Sequence, residues 1–275
     1  MKLRLLTALC ATALLSAPAL AHELWINVAN TPVGQPMVVE MGYGDNFPEP
    51  EAIAADRLAI FSPARLVSAA GEVKLEQKGE NYRYVSTKPA VEGSYLAIAT
   101  YNPTYWAKNK NGWKQQSRRE MTDASYCQLA SMYGKTVVNV GNKSDAAFIS
   151  QPQGIPLEIV PLADPAMLKG GQTLPVELRY QGKPLANHKV SASYAGYEDP
   201  HHHHKHGDHR HLEAAFSAKT DDKGRLSVPV DRDGYWVIFA DKVTPIADKN
   251  VCDEEKVKTT FTFNVGQDVG QKAGK

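Results

Sequence analysis

The sequence predicts an all-β protein, built as two immunoglobulin-like β-sandwich domains with one short helix near the end of the first. Three observations carry this expectation. Short runs of β-branched and aromatic residues recur along the chain, clusters of Gly, Pro, Asn and Asp separate them, and the early intervals are too short for a crossover helix. The expected organisation is a signal peptide over residues 1–21, an N-terminal β-sandwich domain over 22–150 and a C-terminal immunoglobulin-like domain over 151–275.

The leader reads from its ends. Lys2 and Arg4 precede an apolar run from Leu5 to Leu15, and Ala19-Leu20-Ala21 supplies the small residues of a cleavage site. Cleavage after Ala21 makes His22 the first residue of an exported, periplasmic chain. The apolar run falls short of the roughly 18 residues that a membrane span needs, so direct membrane insertion is not expected. Losing Lys2 and Arg4 takes the formal charge of +1 to near neutrality, which offers no general attraction for nucleic acid.

In the first half, strands are expected over residues 23–28, 37–43, 57–61, 73–77, 81–86 and 95–100, with turns at Ser62-Pro63, Ala70-Gly71 and Gly79-Glu80. Residues 102–116 are polar, basic and aromatic at once. Tyr101, Tyr105, Trp106 and Trp113 alternate with Lys108, Lys110 and Lys114, and read as a long loop that lays its rings over a sheet edge. Residues 118–133 carry Met121, Ala124, Leu129 and Met132 near one helical face, with Gly134 as a stop, which predicts the helix. After the linker-like SQPQGIP (Ser150–Pro156), seven strands are expected over 157–162, 173–180, 189–194, 214–220, 225–229, 235–240 and 259–265.

Between the third and fourth of these lies HHHHKHGDHRH (His201–His211), in which seven of eleven residues are histidine and none is apolar. Such a run has nothing to bury, and neutral imidazoles are ligands for borderline divalent metals. His201, His202, His203, His204, His206, His209 and His211 are therefore expected to bind metal as a collecting loop. In extended chain His202, His204 and His206 share one side, as do His209 and His211. Seven imidazoles exceed the need of one site, which favours several exchanging arrangements over a single ordered centre.

His22 is the sharper candidate. At a processed N-terminus its α-amine and ring form a chelating pair, and in model peptides an α-amine titrates near ~8 and an imidazole near ~6.5. Isolated His188 reads as structural or solvated. Cys127 and Cys252 survive processing. In an oxidising compartment such a pair favours a disulfide, and reduced thiolates contributing to the metal site are the alternative.

Several segments together resemble the periplasmic proteins of domain-of-unknown-function family 4198: HELW (His22–Trp25), GIPLEIVPLADP (Gly154–Pro165), GKPL (Gly182–Leu185), TDDKG (Thr220–Gly224) and GYWVIFAD (Gly234–Asp241). The resemblance implies export, two β-sandwich units and a part in nickel or cobalt uptake. His22 carries over to the family pattern directly, whereas the histidine run has no fixed counterpart in it.

The leading expectation is a non-enzymatic protein that captures or delivers nickel or cobalt to an inner-membrane metal transporter. Zinc and copper are further candidates for the bound divalent ion, because affinity rises toward copper whatever a site is for. Two alternatives stand beside it. One is a copper-binding β-sandwich redox protein using the N-terminal histidine, and the other is a non-metal binding module that attaches to a transporter or to sugar. No paired carboxylates, nucleophile motif or phosphate-cradling glycine loop argues for another enzyme.

Overall fold

The computed structural model describes residues 22–79, 82–198 and 212–266. In chain order the strands are β1 (Glu23–Val28), β2 (Pro36–Gly44), β3 (Phe61–Ser68), β4 (Gly71–Val73), β5 (Leu75–Gln77), β6 (Arg83–Pro89), β7 (Gly93–Asn109), β8 (Gly112–Lys114) and β9 (Tyr126–Val140). The short helix α1 (Ala146–Ile149) follows. Then come β10 (Leu157–Pro161), β11 (Gln172–Tyr180), β12 (Lys183–Pro184), β13 (Lys189–Tyr194), β14 (Phe216–Lys219), β15 (Arg225–Val230), β16 (Gly234–Pro245) and β17 (Glu254–Val265).

Two sandwiches share one sheet. The order β14-β13-β16-β17-β9-β7-β3-β4 runs without a break through both halves of the chain, and β8 pairs with β7. Its central seam is the parallel pairing of β17 with β9, from Glu254↔Gln128 to Thr262↔Thr136. Sheet β1-β2-β6-β5 covers the N-terminal part, and β10-β11-β12, with β15 on β11, covers the C-terminal part. One core, around Leu24, Ile26, Met37, Leu66, Tyr95 and Met132, fills the first sandwich. The other, around Leu157, Val176, Val190, Trp236, Phe261 and Phe263, fills the second.

The all-β expectation holds, but several elements differ from their sequence reading. Residues 118–133 form a turn-rich approach and then the first part of β9, not a helix. The apparent helical spacing arises because β9 is buried on both faces. Ala130 and Met132 enter the first core while Tyr133 enters the second, so apolar residues do not alternate with polar ones. The helix that does form, α1, starts where the Asp145 carboxylate accepts the Phe148 N–H.

The expected loop over 102–116 is the end of β7 hairpinned onto β8. Tyr101 and Trp106 are core residues, and Trp106 Nε1–H donates to the Tyr101 hydroxyl at 2.7 Å. Ser62-Pro63 lies inside β3, at a register shift against β7, and not in a turn. The residues expected as a strand over 57–61 are mostly a 3₁₀ turn. Cys127 and Cys252 form the disulfide.

β1 carries no main-chain pairing to the shared sheet and is docked on it by side chains. Lys258 Nζ donates to the His22 carbonyl, Thr260 Oγ1 to that of Leu24 and Thr262 Oγ1 to that of Ile26. Close approach is bought by glycine: a Cβ at Gly134 would lie 2.9 Å from Trp25 Cα.

Candidate metal centre

His22 enters β1 directly, and the β1–β2 hairpin determines what faces it. The register pairs Glu23 with Gly44 and Leu24 with Tyr43. One step further along the same ladder sets Asp45 opposite His22. β2 ends at Gly44, whose φ of +154° and tight surroundings suit glycine: a Cβ there would stand 3.1 Å from Glu51 Cγ.

The segment Asp45–Glu51 then folds back on the strand. Glu51 N–H donates to the Tyr43 carbonyl at 2.8 Å, Glu49 N–H to that of Asn46 at 2.7 Å, and Asp45 N–H to Glu51 Oε1 at 3.2 Å. Phe47 anchors the segment, its ring edge-on to Trp25 at 5.6 Å and 4.8 Å from Tyr235.

The result is a cluster of one imidazole and two carboxylates. His22 Nε2 lies 2.9 Å from Glu51 Oε2 and 4.0 Å from Asp45 Oδ1. One ligand atom from each of the three residues falls within 4.8 Å of the others. Metal–ligand bonds of about 2.0–2.2 Å need donors roughly 3–4 Å apart, so modest closure suffices. Glu51 is positioned to supply it, since its side chain is 53% exposed while those of His22 and Asp45 are 9% and 11% exposed. One nitrogen and two oxygens suit borderline divalent cations, and water access through the Glu51 side leaves room for further ligands.

The floor is aromatic. The His22 ring stacks on Tyr43 at 4.6 Å, and Tyr43 meets Phe61 and Tyr101. Burial holds the Tyr43 phenol protonated far above the usual range, helped by Tyr101 and against the pull of Arg57. Burial also raises Tyr101, against its hydrogen bonds with Trp106 and Thr104.

Stability from these phenols is complete below the ordinary tyrosine value of 10 and is lost as pH rises above it, because only the unfolded chain ionises readily. Each contributes a slope of up to about 1.4 kcal/mol per pH unit. Above pH 10, phenolate absorbance from Tyr43 and Tyr101 is expected to appear together with loss of β-sheet circular dichroism; Phe substitution of both is expected to shift the unfolding midpoint to higher pH.

On the other side of His22, Lys258 Nζ holds the carbonyl at 3.0 Å and Glu23 Oε1 at 2.7 Å. Burial raises the Glu23 carboxyl, and the Lys258 charge opposes it.

Of the residues singled out in the sequence, the structure places His22 in this cluster. His201, His202, His203, His204, His206, His209 and His211 lie outside the described residues. Leu212, just past the run, packs against Trp25, Phe47, Tyr235 and Val237. His188 is a structural residue, its Nε2 2.7 Å from the Asp241 carbonyl oxygen. Cys127 and Cys252 pack with Ala107 and Met121, apart from the three ligand candidates.

Asp45 and Glu51 were legible only through the hairpin. The turn signal at Gly44-Asp45-Asn46 conceals that the β1–β2 register sets Asp45 beside His22 and that the fold-back after it brings Glu51 there.

A protein-family model described as "Domain of unknown function (DUF4198)" matches residues 19–243. No curated protein matches the sequence. Among solved structures, the chain is similar to the D0-D1 domain of intimin, at 14% identity over 88% of this chain and 98% of that one, with a TM-score of 0.22. The D00-D0 domain of intimin gives 12% identity over 89% and 100%, with a TM-score of 0.22. The full ectodomain of mouse nectin-like molecule 4 gives 11% identity over 90% and 66%, with a TM-score of 0.18. At such scores the fold rests on its own strand pairing.

Proposed function

The chain belongs to the DUF4198 family, whose description assigns no activity, and we propose from its own residues that it is a non-enzymatic periplasmic transition-metal-binding protein. Its cargo is nickel or cobalt, with zinc a further candidate, captured for delivery to an inner-membrane transporter. The observation that carries this reading is the convergence of the buried His22 imidazole with the Asp45 and Glu51 carboxylates on one hairpin. In this reading His22 Nε2 is the nitrogen ligand, Asp45 and Glu51 supply oxygen, and Tyr43 keeps the ring in place. The histidine run, on composition alone, serves to collect ions.

A second reading has a specific observation behind it. Metal-ligating imidazoles usually donate their other ring N–H to a carboxylate, and Glu51 stands 2.9 Å from Nε2 in that role. Nδ1 and the α-amine freed by cleavage after Ala21 would then chelate the ion. That arrangement suits copper, and with it redox chemistry.

Calorimetric titration of the mature protein with nickel, cobalt, zinc and copper distinguishes the two. Under the first reading His22→Ala and the pair Asp45→Asn/Glu51→Gln each weaken nickel or cobalt binding by more than about 100-fold, beyond what outer-shell partners cost. One extra residue ahead of His22 leaves it unchanged. Under the second, the extra residue removes tight copper binding and the carboxylate changes have lesser effects. Equal uptake by every form removes both.

A further inference from the structure

At the other end of β1, roughly 17–20 Å from His22 at about 3.3 Å per residue, the two sandwiches leave a cleft of about 390 Å³. Its size falls within the range of small-molecule sites. β1 and the residues after it form one wall, β9 the floor, and the Pro165-Ala166 turn with the ends of β16 and β17 the other wall.

None of the lining residues is Asp, Glu, Lys, Arg or His, and Tyr235 carries the one phenol. A site without charge has no means of selecting a metal ion, a phosphate or an ionic peptide. What it offers is amide and carbonyl groups between apolar surfaces such as Ala29 and Pro165.

The side-chain ladder that docks β1 explains why polar groups remain here. Its rungs advance two residues at a time on both strands: Lys258 to His22, Thr260 to Leu24, Thr262 to Ile26. The next rung in this series is Asn264 with Val28, and both residues line the cleft. Beside them Asn27 also lines it, and its Oδ1 is buried without a hydrogen-bond partner. Leaving a buried acceptor unmet costs about 1–3 kcal/mol, which a donor-bearing ligand would recover.

We propose that this cleft binds a neutral saccharide, its hydroxyls donating to Asn27 Oδ1 and exchanging hydrogen bonds with Asn264, and its apolar face lying on Ala29 and Pro165. Hydroxyl groups both donate and accept, which matches carboxamide side chains in an uncharged site. An extended peptide fits less well. Strand addition needs a run of open edge groups, and the rungs at Leu24 and Ile26 are already closed by threonine hydroxyls, leaving a single position at Val28.

Saturation-transfer NMR on the mature full chain tests this with glucose, N-acetylglucosamine and maltose as probes and blocked trialanine as the competing class. Ala166 is exposed on the cleft wall, so Ala166→Trp fills the cleft without burying a new side chain in a core. The expected result is transfer to at least one saccharide, abolished by Ala166→Trp and weakened at least about fivefold by Asn27→Leu, the loss of one neutral hydrogen bond.

A thermal melt of each variant confirms folding, and nickel titration of Ala166→Trp is expected to match the parent chain. The proposal is overturned if no saccharide receives saturation, if transfer persists in folded Ala166→Trp, or if the blocked peptide alone binds. Because His22→Ala leaves the cleft intact, the metal reading and this one fail independently.

Discussion

Glu158→Gln is expected to lower the free energy of unfolding by about 3–5 kcal/mol, the cost of stranding one partner of a buried ion pair. Lys135 on β9 and Glu158 on β10 are each 2% exposed, and Lys135 Nζ donates to Glu158 Oε1. The Gln153 N–H also donates to both Glu158 oxygens, at 2.9 and 3.0 Å.

Burial pushes the Lys135 ammonium below the ordinary lysine range, and the charge and hydrogen bond of Glu158 oppose that push. Without Glu158 only the downward push remains. The penalty on the charged lysine is then complete below its folded pKa and is relieved as pH rises toward the unfolded value of 10.5. The deficit of Glu158→Gln against the parent is therefore expected to shrink in alkaline denaturation curves.

Lys135→Met/Glu158→Gln removes both charges, keeps an acceptor for Gln153 and fills the ammonium's place with an apolar chain. It is expected to recover most of the loss. A deficit in the double variant equal to that of Glu158→Gln would show that the effect is packing and not charge. Because the pair joins a strand of the first half to the cover sheet of the second, both halves are expected to unfold in one transition.

How far the sequence discloses this molecule depends on whether the determining contact is local. The C-terminal strands were legible because turns such as Asp221-Asp222-Lys223-Gly224 bracket runs whose residues alternate or are uniformly apolar. β9 was not, because burial on both faces erases the period-two signal, and Met121 and Ala124 of the preceding turns happen to fall at helical intervals from its Leu129 and Met132. Its neighbours, β7 and β17, are fixed by pairing across the chain, which no local pattern encodes.

The same distinction holds at the candidate site. His22 was visible because it follows the Ala19-Leu20-Ala21 pattern of a cleavage site. Asp45 and Glu51 became visible only when Glu23 was paired with Gly44. The histidine run shows the opposite case, in which composition is plain and no apolar periodicity accompanies it in the sequence.

Removing the Cys127–Cys252 disulfide is expected to cost about 2–5 kcal/mol of stability, since the bridge spans a sequence separation of 125 and long closed loops restrict the unfolded chain most. Cys127→Ala/Cys252→Ala is the appropriate variant. Both sulfurs are buried among Ala107, Met121, Tyr105 and Val251, where serine would introduce two hydroxyls into apolar surroundings. Nearby polar contacts do not depend on the bridge: Cys127 N–H donates to Asp253 Oδ2 at 2.8 Å, and Asp253 N–H to the Cys127 carbonyl at 3.1 Å. The loss is therefore expected to appear in the denaturation midpoint, with the circular dichroism of the folded state retained.

The functional consequence separates two uses of cysteine. The bridge fixes the start of β9 next to the start of β17, the seam on which Lys258 and the threonines hold β1 and hence His22. It therefore supports the site from a distance and supplies it with no ligand. Nickel affinity of the folded Cys127→Ala/Cys252→Ala variant is expected to stay within about twofold of the parent, because distant, independent sites rarely couple by more than about 0.5 kcal/mol. A fall of tenfold or more in a protein that is still folded would mean that the bridge is coupled to the site through the seam that holds β1.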